Sequence, residues 1–342
     1  MKILLIDSLD HYSGVTTHIC HLADELCRRR CDVTIMAPNI EIYKGKLESD
    51  IRLLPFRKGH LTEDLPLSFL NTFDLINSNA YVEVNTYLTD FTIRKYRLLI
   101  TIHEVMKRES LRLYADYYHC LKQSDGLITV SYSARRILLE NDFAPDFVHT
   151  IPNGIPIPDT HVNANAKDLV FTGRLSEEKN VMVLLETMKQ LKQESIHLHL
   201  YGNGPMESEI KKVIAQNSLQ ETCILHGFCS NIGQILNQYQ ILILPSKTES
   251  CSYTLLEGMA NHVFLIASDC PGNREMIVDQ ITGALFHCDD SAQLAQSVRY
   301  WFSHTPERNA VAENAYNRAR QYYSTKQMGD RFIELYQCVL NK

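Results

Sequence analysis

Apolar and polar residues form two alternating patterns along the first half of the chain. Short runs of β-branched residues and leucine are typical of strands buried on both faces of a parallel sheet, and they alternate with segments whose apolar residues recur at helical spacing. The first run covers residues 2–6, and a helical pattern through Ile19, Leu22, Ala23 and Leu26 follows it. Further strands are predicted at 32–36, 74–77, 98–102, 126–130 and 149–151. This order predicts a doubly wound α/β domain over residues 1–150.

A segment rich in turn-forming residues separates this domain from a second one. Residues 151–160, IPNGIPIPDT, hold three prolines and an Asn-Gly pair, which predicts a linker. Beyond it, a second α/β domain is predicted over residues 161–320. Its strands are expected at 168–172, 197–201, 223–226, 241–245 and 264–268, and its helices at 180–192, 206–215, 231–238, 253–260, 291–302 and 306–339. Residues 321–342 are predicted as a C-terminal helix that can cross back to the N-terminal domain.

Composition and charge exclude several classes of protein. The 342 residues are 45% hydrophobic and 22% charged, which excludes disordered and collagen-like chains. A formal net charge of −6 argues against nucleic acid as a partner. The ten cysteines form no CxxC pair, so reduced thiols in a cytoplasmic protein are expected. Asp7 interrupts the first apolar run and no stretch reaches roughly 18 uncharged residues, so neither a signal peptide nor a membrane helix is expected.

The loop after the first strand of the second domain, FTGRLSEEKN, is a candidate anion site. Gly173 allows close backbone approach, and Arg174 and Lys179 bring two cations to the start of a predicted helix. A guanidinium, an ammonium group and a helix N-terminus together suit a diphosphate. Because Glu177 and Glu178 lie in the same loop, a solvated loop without a ligand is equally compatible with these residues.

Two glutamates in LPSKTESCSYTLLEGMA form the second candidate site. Glu249 follows a predicted strand, and Glu257 lies about one turn into the next helix if Ser252 or Tyr253 opens it. Paired carboxylates suit a polyhydroxy ligand, because each accepts hydrogen bonds from hydroxyl groups. The alternative is a helix cap and a surface glutamate, but it does not explain why apolar residues surround Glu257.

Other signals in the sequence are weaker. The loop after the first strand lacks GxGxxG and holds a single glycine, Gly14, so a plain turn is at least as good an explanation, and a dinucleotide-dependent oxidoreductase is disfavoured. A zinc site from His18, Cys20 and His21 fits no standard ligand spacing. Asp289-Asp290 lies in a late loop and is no DxD motif, so we expect no metal.

The segments GRLSEEKN, ESCSYTLLEGMA and DCPGNREMI resemble motifs of the retaining nucleotide-sugar glycosyltransferases of family four. The resemblance runs from KILLIDS at the first strand to TGALF at residues 282–286. It implies the GT-B fold of two facing Rossmann-like domains with parallel sheets. It also implies metal-independent transfer of a hexose-type sugar from a UDP-, GDP- or ADP-sugar to an acceptor hydroxyl, in the biosynthesis of a surface glycan such as lipopolysaccharide or capsule.

The resemblance also implies roles for individual residues. Arg174 and Lys179 would hold the donor diphosphate, and Glu257 would bind the ribose. Glu249 would lie beside the donor sugar. His103, at the end of a strand in TIHEV, would lie near the reacting sugar. These assignments make His103, Glu249, Arg174 and Lys179 the candidate catalytic residues.

Backbone groups would complete the donor site. The resemblance implies that Gly14 and Gly173 approach the donor, that the loop at 271–275 with Gly272 lines the sugar and phosphates, and that HGF at 226–228 places Phe228 by the base. Two positions depart from the family pattern, since Ser13-Gly14 and Pro271-Gly272 stand where two glycines are frequent, so a serine hydroxyl is expected to replace one backbone contact. GNGP at 202–205 is interpreted as a structural turn, with Pro205 at the first helical position.

Basic residues flank His103 in the sequence. They are Arg94, Lys95, Arg97, Lys107, Arg108 and Arg112. A solvated face and a contact with anionic lipid headgroups both stay open. Since acceptors of this family are often glycans or lipid-linked, the second interpretation predicts peripheral contact with the inner face of the membrane.

Two alternatives to a glycosyltransferase keep the same fold. One is a GT-B epimerase or hydrolase acting on the nucleotide sugar itself. The other is a non-catalytic glycan- or lipid-binding protein, against which the joint presence of Arg174, Lys179, Glu249 and Glu257 argues.

Overall fold

The computed structural model describes residues 1–91, 93–105, 115–158, 168–229 and 231–342. These residues form two compact units. Unit 1 comprises Met1–Gly154 and Thr325–Lys342, and unit 2 comprises Ile155–Ser324. In the described part of the chain, no helix is both long enough and apolar enough to cross a bilayer.

Unit 1 is built on a seven-stranded parallel sheet in the order β3-β2-β1-β4-β5-β6-β7. The strands are β1 Lys2–Ile6, β2 Asp32–Ala37, β3 Arg52–Pro55, β4 Leu75–Ser78, β5 Arg97–Ile102, β6 Gly126–Thr129 and β7 Val148–Thr150. The helices described between them are α1 Gly14–Arg28, α2 Leu61–Asp64, α3 Leu67–Leu70, α4 Val82–Thr89, α5 Ala115–Lys122 and α6 Tyr132–Leu139, with a short 3₁₀ helix at Ile40–Tyr43. The strand order reverses at β1, so the loops after β1 and β4 open at the point where ligands bind such sheets.

Unit 2 repeats the plan with a six-stranded parallel sheet in the order β10-β9-β8-β11-β12-β13. Its strands are β8 Leu169–Thr172, β9 Leu198–Tyr201, β10 Cys223–Gly227, β11 Ile241–Leu244, β12 Phe264–Ser268 and β13 Ala284–Phe286. Its helices are α7 Val181–Gln190, α8 Glu207–Gln216, α9 Ile232–Ile235, α10 Tyr253–Ala260, α11 Pro271–Met276, α12 Ser291–Ser303 and α13 Thr305–Tyr322, with a 3₁₀ turn at Leu236–Gln238. Here the order reverses at β8, which makes the loops after β8 and β11 neighbours.

The C-terminal helix α14, Thr325–Leu340, belongs to unit 1 and packs against α1. Gly329 makes the close approach possible, since a Cβ atom there would lie 2.8 Å from the Cβ of Glu25. Arg29 pairs with both Glu25 and Asp330, and it donates to the Lys326 carbonyl at 2.8 Å. Phe332 is fully buried in the same contact.

The predicted α/β class with parallel sheets is confirmed. The edge strands β3 and β13 were not predicted, because they have only four and three residues and β3 is largely exposed. The prediction of a single helix over 306–339 is wrong. It breaks between α13 and α14, where the Tyr323 carbonyl accepts the Ile155 N–H at 2.7 Å and Ser324 pairs with Ile155 as a parallel bridge.

Three smaller expectations are also corrected. The segment 271–275 lies in the short helix α11 rather than in a loop. Pro205 does not open a helix, since α8 begins at Glu207 with Met206 as its N-cap. The helix expected at 231–238 is one α-helical turn followed by a 3₁₀ turn.

Replacing the buried ring of Phe332 should destabilise unit 1. Phe332→Ala is expected to lower the unfolding free energy by about 3–5 kcal/mol, because it leaves a cavity between α1 and α14. Urea unfolding followed by circular dichroism measures this loss. Ile93→Ala is the control, since Ile93 is 80% exposed and its truncation should change stability by less than about 0.5 kcal/mol. Equal unfolding midpoints for the two variants would contradict the described docking of α14.

Candidate functional site

The loop between β8 and α7 is held in place by direct backbone contacts with the loop after β9. The Gly173 N–H donates to the Tyr201 carbonyl at 2.9 Å, and the Leu175 N–H donates to the Asn203 carbonyl at 2.9 Å. A Cβ atom on Gly202 would collide with the Gly173 carbonyl, and one on Gly204 with the Leu175 carbonyl. The glycines of GNGP therefore allow two backbones to touch, and Gly173 itself adopts φ +154°.

An ion pair joins this loop to the loop after β11. Lys179 Nζ lies 2.6 Å from Glu249 Oε1, and the two side chains are 22% and 9% exposed. Burial alone would lower the pKa of Lys179, but the adjacent Glu249 carboxylate reverses that effect and raises it. The ammonium group thus stays charged at neutral pH, and it has three donors, so it can serve Glu249 and an anion together.

Arg174 provides a second, exposed cation in the same loop. Among the residues that the structure describes, it has no ion-pair partner. Glu177 is directed to Lys247 instead, at 3.5 Å, and the Lys247 N–H donates to the Glu178 carbonyl at 2.8 Å. The acidic residues of this loop therefore do not neutralise Arg174.

Glu257 lies one turn into α10, which begins at Tyr253 with Ser252 as its N-cap, as expected. It is half-buried, and its neighbours Leu256 and Met259 are fully buried. Burial raises the pKa of Glu257 to about 8, and no cation within the described ranges offsets that effect. A carboxyl group placed this way has a strong tendency to accept hydrogen bonds from a ligand.

A buried polar layer supports the Glu249 loop against α11, and its residues Ser246, Ser268 and Asn273 are not among those predicted above. A Cβ atom on Gly272 would collide with the Glu249 and Ser250 carbonyls, so only glycine fits this contact. Asn273 Nδ2 donates to the Ser268 carbonyl at 2.9 Å, and Ser268 donates to the Ser246 carbonyl. Polar residues at the ends of β11 and β12 were the available sequence signal.

In the segment expected near the base, His226 and Gly227 end β10 and Phe228 follows the strand. Phe228 is 59% exposed. The ring of His226 stacks on Tyr201 at 4.3 Å and on His199 at 5.1 Å. This aromatic surface begins beside the Gly202–Gly227 backbone contact, where the Gly202 N–H donates to the Gly227 carbonyl at 2.8 Å.

Two predicted residues, His103 and Gly14, lie in unit 1. His103 follows β5, with Nε2 at 2.8 Å from Asn79 Oδ1 and its ring edge-on to His18 at 4.8 Å. Burial, together with His18, lowers the pKa of His103 well below its ordinary value, so the imidazole is neutral. Gly14 begins α1. The Ser13 hydroxyl oxygen accepts the Val15 N–H at 3.2 Å as a helix cap, and its expected contact with the donor stays a prediction.

His18 and His21, two of the three residues considered for a zinc site, form other contacts in unit 1. His18 Nδ1 lies 3.0 Å from Asn153 Oδ1, and His21 Nδ1 lies 2.9 Å from the Gly154 carbonyl oxygen. Within the described ranges, no group of three or more His, Cys, Asp or Glu side chains could hold a metal ion.

The basic residues around His103 are partly neutralised. Arg94 and Arg97 both pair with Asp125, at 2.9 and 3.1 Å, while Lys95 is exposed. Lys107, Arg108 and Arg112 lie outside the described residues. Membrane contact on this side of unit 1 thus stays a prediction.

Two family models match adjoining parts of the chain. The model described as Glycosyl transferases group 1 matches residues 157–318, and the model described as Glycosyltransferase Family 4 matches residues 12–157. Together they span residues 12–318.

The individual relatives and the solved structure described next are each 26% identical to this chain or less. The alpha-D-kanosaminyltransferase of Streptomyces kanamyceticus is 26% identical over 49% of this chain and 45% of its own length. The alpha-maltose-1-phosphate synthase of Mycolicibacterium smegmatis is 24% identical over 96% of each chain. The Anabaena HepE structure with UDP-glucose has a TM-score of 0.86 at 17% identity, covering 99% of this chain and 100% of that one, which shows the shared fold. The chain spans less than half the length of several curated relatives that it matches.

The raised pKa of Glu257 predicts a specific pH dependence of stability. The pKa is about 8 in the folded chain and about 4.5 unfolded, so the fold favours the protonated form and loses stability as pH rises from 4.5 to 8. The unfolding free energy of Glu257→Gln, relative to that of the natural chain, should therefore be about 1–3 kcal/mol higher at pH 8 than at pH 5. Urea unfolding at both pH values measures this. Glu186→Gln, which removes an exposed carboxylate from α7, is the control, and an equal change in both variants would contradict the assignment.

Proposed function

Since this chain belongs to the GT-B glycosyltransferases of the family-four type, we propose that it moves a hexose-type sugar from a nucleoside diphosphate sugar to an acceptor hydroxyl with retention of configuration. The observation that carries the proposal is the arrangement at the reversal point of the unit 2 sheet. There Lys179, tied to Glu249, lies in the same short loop as the exposed Arg174. Such a pair of cations at the carboxyl ends of parallel strands suits a diphosphate.

The donor diphosphate binds, in this proposal, to Arg174 and Lys179. The Arg174 guanidinium can form two parallel hydrogen bonds with phosphate oxygens. Lys179 contributes one ammonium donor to Glu249 and keeps two for the diphosphate. In this proposal the backbone at Gly173 and Gly272 also approaches the donor, as the family resemblance implies.

Glu257 and Phe228 would hold the nucleoside. The half-buried Glu257 carboxylate accepts hydrogen bonds from two ribose hydroxyls, which lowers the energetic cost of its ionisation. Phe228 supplies an exposed ring beside which a base can pack. Glu249, oriented by Lys179, would lie beside the donor sugar.

Catalysis would be mainly electrostatic. As the glycosidic bond breaks, negative charge develops on the diphosphate leaving group, and preorganised cations stabilise that charge without reorganising. Arg174 and Lys179 supply two positive charges at that position, which is the role a divalent cation would otherwise have. We therefore propose transfer that does not require a metal.

The acceptor is assigned to unit 1 on the basis of His103. We propose that this neutral imidazole contacts the transferred sugar and that the acceptor is a glycan or a lipid-linked glycan of a surface polymer. Support for the glycan class comes from the family resemblance, and peripheral membrane contact depends on Lys95 and on residues outside the described ranges.

Removing Lys179 or Glu257 should weaken donor binding. Lys179→Ala and Glu257→Ala are each expected to raise the Kd for the preferred nucleoside diphosphate at least about tenfold, which is roughly 1.4 kcal/mol. A thermal-shift panel of UDP, GDP, ADP and their glucose conjugates first selects the ligand, and calorimetry then measures Kd. Lys189→Ala is the matched control, because Lys189 lies on α7, the helix that follows the Lys179 loop, and pairs with Glu186 at 2.7 Å. An unchanged Kd in both test variants would contradict the proposal that the donor site lies in unit 2.

Product analysis separates transfer from the alternative reactions. With the selected donor and a panel of alkyl glycosides, we expect a product whose anomeric configuration, read by NMR, is that of the donor. EDTA should change the rate by less than about twofold, since the site's cations are side chains. Free sugar without acceptor would indicate a hydrolase, and an altered nucleotide sugar would indicate an epimerase. An inverted product would overturn the retaining assignment.

A further inference from the structure

Asn79 and His103 form a hydrogen bond at the carboxyl ends of the adjacent strands β4 and β5. The distance from His103 Nε2 to Asn79 Oδ1 is 2.8 Å. A carbonyl oxygen can only accept, so the hydrogen of this bond is carried by Nε2. The amide orientation is supported independently, because Asn79 Nδ2 lies 3.4 Å from the Asn77 carbonyl oxygen, and the reversed amide would bring two oxygens together there.

The other ring nitrogen of His103 is left with a lone pair. The ring is neutral, as shown above, so a hydrogen on Nε2 leaves none on Nδ1. Among the described residues, Nδ1 has no hydrogen-bond partner, and it is not one of the fully buried polar atoms. It is therefore an acceptor accessible to a ligand.

Asn79 is itself held rigidly. The residue is 6% exposed, and its backbone N–H donates to the Ile6 carbonyl at 2.8 Å. The neighbouring Asn77 accepts from Thr101 Oγ1 at 2.8 Å and donates to Tyr336 Oη at 2.7 Å. Since Tyr336 lies on α14, the returning C-terminal helix supports the strand end from which Asn79 projects.

The far side of the His103 ring is also fixed. His18, fully buried, lies edge-on to it, and Phe332 lies edge-on to His18 at 5.6 Å. His18 donates through Nδ1 to Asn153 Oδ1, because that oxygen can only accept. Burial lowers the pKa of His18 to about 4, so at neutral pH the ring beside His103 carries no positive charge.

We propose that Asn79 is a positioning residue that fixes His103 as the Nε2–H tautomer, so that Nδ1 accepts a hydrogen bond from a hydroxyl group of the transferred sugar. This inference rests on the proposed function, in which His103 contacts that sugar. The opposite tautomer would present an N–H at the same place and could not accept from a hydroxyl. A donor that lacks the hydroxyl would leave Nδ1 unpaired and would be selected against.

The tautomer can be measured directly by NMR. In protein labelled with ¹⁵N-histidine, long-range ¹H–¹⁵N spectra at pH 7.5 should show His103 as the neutral Nε2–H form, with the assignment made from His103→Gln. Asn79→Leu, which keeps the volume but removes the acceptor, should produce a mixture with the Nδ1–H form. Thr101→Val is the matched control, because it removes a buried hydrogen bond of the same polar network without contacting His103. A single Nδ1–H form in the natural chain, or an unchanged tautomer in Asn79→Leu, would overturn the proposal.

Kinetics then test the consequence for the sugar. With the donor chosen by the thermal-shift panel, Asn79→Leu should lower kcat at least about tenfold and leave the Kd of the nucleoside diphosphate within about twofold, while Thr101→Val should lower kcat less than about threefold. In a His103→Ala background, Asn79→Leu should have no further effect on kcat, because its role acts through His103.

The outcomes distinguish this proposal from the function on which it rests. If no nucleoside diphosphate sugar binds, the proposed function fails while the NMR result still decides the tautomer. If the donor binds and is turned over, but Asn79→Leu reaches the natural kcat despite a changed tautomer, the proposed function stands and the role of Asn79 is overturned.

Discussion

The ion pair between Lys179 and Glu249 is the interaction on which the unit 2 site depends. It connects the loops after β8 and β11, which the strand order makes neighbours at the reversal of the sheet. Because both side chains are largely buried, removing one would leave the other charged without a partner, which is costlier than the pair itself is stabilising. The pair therefore fixes two loops at once, and it keeps a charged ammonium group where burial would otherwise favour the neutral amine.

Backbone contact makes this arrangement of charges possible. Gly202 and Gly204 let the loop after β9 touch the Gly173 loop, and Gly272 lets α11 touch the Glu249 loop. Each contact removes the space that a side chain would occupy, so the loops are positioned by main-chain atoms and have little freedom to move. Charged groups placed on such a frame lose little entropy when a ligand binds.

At corresponding places in their sheets, unit 2 has a pair of charged side chains and unit 1 has neutral polar ones. Unit 2 places the charged Lys179–Glu249 pair at the reversal point, and Glu257, whose neutral form burial favours, is held nearby at the expense of stability. Unit 1 places neutral amide and imidazole groups there, with Asn79, His103 and His18 bonded through single, directional hydrogen bonds. In both, the candidate site includes a polar group that the packing leaves incompletely satisfied, Glu257 in unit 2 and His103 in unit 1.

Strand and helix periodicity and short motifs are local properties of the chain, so they were enough to predict the α/β class and to select the segments that carry Arg174, Lys179, Glu249 and Glu257 as candidates. The division between the units, at Gly154 and Ile155, falls within the segment 151–160 that turn-forming residues had marked. The helical pattern predicted a continuous helix over 306–339 as well as a C-terminal helix over 321–342. The break between α13 and α14 lies at Tyr323, whose carbonyl accepts the Ile155 N–H, and no local signal encodes that contact. The sequence by itself also left Asn79, Ser246, Ser268 and Asn273 unremarked, because a lone polar residue acquires a role only from what lies beside it. Their positions were decided by the parallel sheets, which bring strand ends from distant parts of the chain to one edge, and by the return of α14 to unit 1.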